Sequence, residues 1–286
     1  MTANEADAER PLRIGAVTYL NTVPLVRGLP ELLPGAELSF DHPSRLADEL
    51  VATNLDVALA PVIELARHPE WSIVSNACIG CRGPVLSVKV LFRKPPEQVA
   101  SLALDEGSRT SAVLAQILLA DRFGVRPRLE VLPVGASPLE TTADAVLVIG
   151  DRAIRSPATG FYESWDMGEE WLRSTGLPFV FAVWAARPGV DCLELEPALE
   201  AARDQGRREL ESIADEQAAA MKLPRELVLN YLRNNLNFCL DADARQGLDL
   251  YFRRAAALGL VGQAFQPDGP ATSTLTLRAL LSGWKA

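Results

Sequence analysis

The stretch "VASLALDEGSRTSAVLAQILLADRFGV", Val99–Val125, opens as an apolar strand, breaks at "DEGS" and resumes with apolar residues at helical spacing. Val113, Leu114, Ile117 and Leu118 fall on one face of that helix, and Gly124 stands where a left-handed residue ends it. Two more apolar runs follow, "RLEVLPV" from Arg128 and "ADAVLVIGDRAI" from Ala143. Strands that alternate with helices predict an α/β fold with a largely parallel sheet, whose binding groups lie outside the carboxyl ends of the strands.

Toward the N-terminus, "LRIGAVTYL" from Leu12 reads as a first strand, and "SRLADELVATNL" as a helix capped by the Ser44 hydroxyl. "DVALAPVIEL" reads as a buried strand ending at Pro61. "PVLSVKVLF", Pro84–Phe92, ends at "RKPP", which cannot continue a central strand, so it is taken as the first crossing between lobes. "TGLPFVFAVWAARPG", Thr175–Gly189, is the matching return. Two crossings imply two lobes with a ligand cleft between them. The expected division is 12–93 plus 186–262 for lobe 1 and 94–185 for lobe 2, with 1–11 and 263–286 as flexible or loosely packed tails. The region beyond Leu193 is read as helical, one helix carrying Leu248, Tyr251, Phe252 and Ala255 on one face, and is expected to pack on lobe 1.

A chain of 286 residues with 48% hydrophobic content is long enough to form a substantial core. Its net charge of −9 argues against a nucleic-acid or anionic-membrane surface, which needs concentrated basic residues. A small anion is still compatible, because a few local donors overrule a distant net charge. The opening "MTANEADAER" lacks the apolar core of a signal peptide, and no apolar run reaches the roughly 20 residues of a membrane span, so a cytoplasmic protein is expected. Cys78 and Cys81 form a C-x-x-C pair with no second pair and no H-x-x-H, which favours incidental thiols over a metal site. His42 and His68 adjoin prolines and read as turn residues.

The strongest local signal is "DEGSRTS", Asp105–Ser111. Ser108 is the expected N-cap, with Thr110 and Ser111 in the first turn, where backbone N–H groups have no helical partner. A carboxylate fits those donors, and Arg109 offers a bidentate contact to the same group. Ordinary capping with a solvent-facing arginine uses the same residues. Ser87 is isolated in an apolar strand and either bonds a neighbouring backbone group or faces the cleft. Gly150, at a strand end, permits close backbone approach, while Asp151 reads as a cap for the next turn. No dinucleotide fingerprint, Walker loop, nucleophile elbow or zinc-protease motif is present.

"RIGAVTYLNTVPL", "DVALAPVIE", "GPVLSVKVL", "DEGSRTSAVLAQILL", "DAVLVIGDRAI", "EEWLRSTGLPFVFAVWAAR" and "YLRNNLNFCLDADARQGLDLYFRRAAALGL" occur in this order, from about Leu12 to Leu260. Together they resemble the chorismate dehydratase family, which opens the futalosine route to menaquinone. The resemblance implies a two-lobed, periplasmic-binding-protein-like type II fold and the removal of water from chorismate to give 3-[(1-carboxyvinyl)oxy]benzoate, without metal or cofactor. It implies a catalytic role for Asn21, facing departing hydroxyl or ring charge. Tyr19, Thr22, Ser87, Ser108, Arg109, Thr110, Ser111 and Gly150 are the expected substrate-binding residues, with Thr22 beside Asn21 looking into the cleft. The substrate's own enolpyruvyl carboxylate is the expected base. A binding-only receptor or sensor of the same fold and the later, naphthoate-forming enzyme of the pathway are the alternatives.

Overall fold

A computed structural model describes residues 10–155 and 159–261. Its strands, in chain order, are β1 (Leu12–Val17), β2 (Ala36–Asp41), β3 (Val57–Pro61), β4 (Ser72–Cys81), β5 (Val88–Phe92), β6 (Ser101–Asp105), β7 (Arg128–Leu132), β8 (Ala145–Ile149), β9 (Glu163–Asp166), β10 (Phe179–Ala186) and β11 (Asn237–Cys239). They form two sheets, one ordered β11-β4-β10-β3-β1-β2 and the other β7-β6-β8-β5-β9. The α/β expectation holds, and each sheet carries its own layer of helices.

The sheets are mixed rather than largely parallel. β1 pairs in parallel with β2 and β3, and β6 with β7 and β8, while β4, β5, β9, β10 and β11 pair antiparallel. The reason is topological: β5 and β10, the first strands after each crossing, are not tied to their sheet neighbours by a βαβ unit and are free to run against them. The crossings also lie earlier than expected. β5 belongs to the second sheet and β10 to the first, so the chain leaves between Cys81 and Val88 and returns between Asp166 and Phe179. Continuous apolar character could not reveal this, because both strands are buried on both faces whichever sheet they join.

One buried carboxylate ties together the ends of three inner strands of the first sheet. Asp56, immediately before β3, accepts hydrogen bonds from Arg13 at β1 (Nε, 3.2 Å), from Arg187 just after β10 (Nε, 3.0 Å) and from Arg10 (NH1, 2.9 Å). It also accepts the Arg13 backbone N–H at 3.0 Å. Burial works to raise its pKa, but the bonds from Arg10, Arg13 and Arg187 outweigh that and hold the carboxyl well below the usual range. Arg10 is therefore anchored, although 1–11 was expected to be a loose tail. The expected tail 263–286 lies outside the described residues.

The C-terminal helices cover the first sheet as expected, Leu195–Arg208 lying against β4. The last helix among the described residues, Ala242–Ala257, does more. It packs on β10 and also on the helix Thr110–Phe123, where the Tyr251 hydroxyl donates to the Thr110 carbonyl at 3.0 Å.

Replacing Asp56 with Ala leaves three guanidinium groups without their shared acceptor and should cost about 3 kcal/mol, read from urea unfolding. Because the folded pKa is depressed, the stabilisation is present at neutral pH and is lost as pH falls below about 5. The Asp56→Ala protein should accordingly show a flatter acid limb than wild type.

Candidate active site

A small cavity of about 50 Å³ lies between the sheets. Tyr19, Asn21, Ser87, Ser108, Arg109, Thr110, Ser111 and Gly150 all line it, and Pro61, Ile79, Ile149 and Phe181 supply apolar walls. Small-molecule sites usually enclose roughly 300–1,000 Å³. The cavity is small by that measure, and a ring-sized ligand needs it to widen.

Asn21 sits in a tight turn, Leu20–Thr22, that follows β1 and leads into the helix Val23–Val26, where Pro24 fits the first turn. The turn is clasped from the other lobe, since the Leu20 N–H donates to the Asp151 carboxylate at 3.1 Å. Asp151 spans the cleft instead of serving as the expected cap, and burial raises its pKa. Thr22 departs from expectation. It is buried, its hydroxyl makes a long 3.4 Å contact to Asn21 Oδ1, and it does not line the cavity. In so tight a turn, adjacent side chains cannot both face the cleft.

Tyr19 and Gly150 meet directly. Gly150 has φ +71°, and a Cβ there would lie 2.7 Å from Cε1 and Cζ of the Tyr19 ring. The close approach foreseen at Gly150 is therefore made by a side chain. The Tyr19 hydroxyl bonds His42 Nδ1 at 3.2 Å. Burial first, and then the charge of Asp105, push the Tyr19 pKa well above its ordinary value, so the phenol stays protonated.

Ser87 precedes β5 rather than lying within it. Its N–H donates to the Val85 carbonyl at 2.7 Å, closing a three-residue turn around Leu86, whose φ is +60°. A turn of that hand is strained for a branched side chain. It persists because the Asp166 carboxylate accepts the N–H groups of Val85 (2.8 Å) and Leu86 (2.7 Å). Strain near a cleft is where functional orientation is commonly stored.

The segment 108–111 is built differently from expectation. The helix starts at Thr110, its cap position is Arg109, and no side chain caps it. Ser108 lies one position too early because its own N–H turns back to the Asp105 carbonyl at 2.9 Å. Ser44 likewise does not cap, since the helix Pro43–Val51 begins after His42. The Thr110 hydroxyl donates to the Phe181 carbonyl at 3.1 Å, so it holds the lobes together and is not left for a ligand. Arg109 is also engaged, with Asp48 at 2.5 Å and Glu64 at 3.4 Å, and reaches across the cleft instead of standing ready as a free fork. What remains for an anion is the backbone N–H end of the helix, with Ser108 and Ser111 beside it.

A family model described as menaquinone biosynthesis matches residues 12–257. The chain belongs to this family. A relative within reach of it, chorismate dehydratase of Thermus thermophilus, is 30% identical over 269 residues, covering 88% of this chain and 96% of that protein. Among solved structures, a protein of Archaeoglobus fulgidus superposes with a TM-score of 0.66 at 15% identity, covering 88% of this chain and 99% of that one. The periplasmic aliphatic sulphonate binding protein of Escherichia coli superposes with a TM-score of 0.55 at 14% identity, covering 89% and 94%. The fold is thus the two-lobed, periplasmic-binding-protein-like type II arrangement. Among the described residues no helix is long and apolar enough to cross a membrane.

Cys78 and Cys81 are both buried free thiols, with their pKa values raised by burial. Sequence reasoning did not find Phe181 or Ile79 as cleft residues, because each reaches the cavity from a strand with no local motif. Gly150→Ala adds left-handed strain of about 1–2 kcal/mol and drives a methyl into the Tyr19 ring. It should lower the melting temperature, and pairing it with Tyr19→Ala should cost less than the sum of the two single changes.

Proposed function

We propose that this protein is a chorismate dehydratase, a hydro-lyase that removes water from chorismate to give 3-[(1-carboxyvinyl)oxy]benzoate. The observation that carries the reading is the near full-length match to the Thermus thermophilus enzyme, with Asn21 lining the cleft. Chorismate carries two carboxylates. The free N–H groups at the start of the helix Thr110–Phe123, with the Ser108 and Ser111 hydroxyls, supply donors to one of them, aided by roughly 0.3–1 kcal/mol from the helix dipole. Ser87, held by its strained turn, supplies another donor.

In the elimination a proton leaves C3, the hydroxyl leaves C4 as water, and the ring becomes aromatic. The step is redox-neutral and its drive comes from aromaticity, so the reading calls for no cofactor. What the protein contributes is one substrate conformer, exclusion of water and a donor at the departing oxygen. Asn21 is that donor in this reading. The enolpyruvyl carboxylate, folded over the ring, takes the C3 proton.

Purified protein incubated with chorismate should yield the dehydrated aromatic acid by liquid chromatography and mass spectrometry, against a control without protein. Asn21→Ala should lower kcat by about 10²–10³-fold while still binding chorismate. Should chorismate survive intact yet raise the melting temperature of the wild-type protein, the cleft is a binding site without catalysis.

A further inference from the structure

The π-turn Tyr231–Asn235, which follows the helix Arg225–Asn230, holds a feature the dehydratase reading does not use. Tyr231 is only 1% exposed, and its hydroxyl makes no hydrogen bond among the described residues. A buried polar atom without a partner is uncommon and unfavourable, and local π-turns recur at functional sites. The polar side chains facing this phenol are those of Ser87 and Asn21. Both line the cavity and lie within hydrogen-bonding reach of the phenol, yet neither makes a bond of good geometry to it. Burial drives the Tyr231 pKa far up, so the group is a proton-bearing donor at any physiological pH.

Asn21 has the matching deficiency. Among the described residues, the geometric contact to its side-chain oxygen is the long one from Thr22, at 3.4 Å. An amide can present either its oxygen or its NH₂ to a ligand, and the partner on the far side decides which. A departing hydroxyl needs the NH₂.

We propose that Tyr231 is a positioning residue for the elimination: on substrate binding its hydroxyl donates to the Asn21 side-chain oxygen, which turns the Asn21 NH₂ toward the C4 hydroxyl. This leaves the Ser87 proton free for the substrate. The hydroxyl has no well-formed bond in the free protein and gains one when bound substrate turns the Asn21 amide, so its stabilisation is reserved for the reacting complex. The inference rests on the dehydratase reading.

Tyr231→Phe removes one oxygen and keeps the ring. It should lower kcat roughly 10- to 100-fold through loss of orientation, with KM for chorismate little changed. Its melting temperature should equal or exceed that of wild type, because an unpaired buried hydroxyl has been removed. In an Asn21→Ala background the same change should have no further effect on kcat. An unchanged kcat in Tyr231→Phe, or a full additional loss on top of Asn21→Ala, overturns the inference while the dehydratase reading stands. A marked drop in melting temperature also overturns it, since the hydroxyl would then be holding the fold. If wild type leaves chorismate intact, the functional reading fails and the inference falls with it.

Discussion

A single carbonyl in β10, that of Phe181, accepts the Val62 N–H at 3.1 Å and the Thr110 hydroxyl at 3.1 Å. Val62 follows β3 of the first sheet, and Thr110 begins the long helix of the second. One acceptor thereby fixes the return strand, the end of a central strand and the helix start at one point on the cavity wall. The Tyr251 hydroxyl secures the same helix start from the C-terminal side. Groups of this kind, taken out of water and mutually satisfied, leave few alternative arrangements for the lobes.

From that point the site is assembled by pairs that cross the cleft. Leu20 meets Asp151, Tyr19 packs on Gly150, and Arg109 reaches Asp48 and Glu64. Three of the residues first read as ligand donors, Thr22, Thr110 and Arg109, are thus occupied with protein contacts. The donors left for an anion are backbone N–H groups and small hydroxyls, which suit a carboxylate without adding a mobile charge. The cavity is small while these cross-cleft pairs are made, so admitting a ring requires the lobes to shift.

Cap positions show how local rules stop short. Ser44 and Ser108 are good capping residues in the right neighbourhood, yet both helices start beside them without a side-chain cap. The entry angle of the chain decides the matter, and that angle is set by contacts between lobes, such as the Ser44 N–H to the Gly107 carbonyl at 3.3 Å. Ser87 shows the same limit in another form. Apolar neighbours suggest a strand, but Asp166, 79 positions away in the chain, stabilises a left-handed turn at Leu86 that no strand pattern announces.

The amino-acid sequence by itself determined the α/β class, the two lobes, the helix Thr110–Phe123 and the family, because these rest on periodicity, Gly and Pro punctuation and the order of many linked motifs. It also singled out eight of the residues that line the cavity. Only the tertiary structure decided which sheet each crossing strand joins, since a strand buried on both faces carries no mark of its partner. It likewise decided what each polar group spends its hydrogen bonds on. Arg109 reads identically whether it faces water, a ligand or Glu64, and the phenol of Tyr231 reads as one more aromatic residue until Asn21 and Ser87, far apart in the chain, are brought to face it.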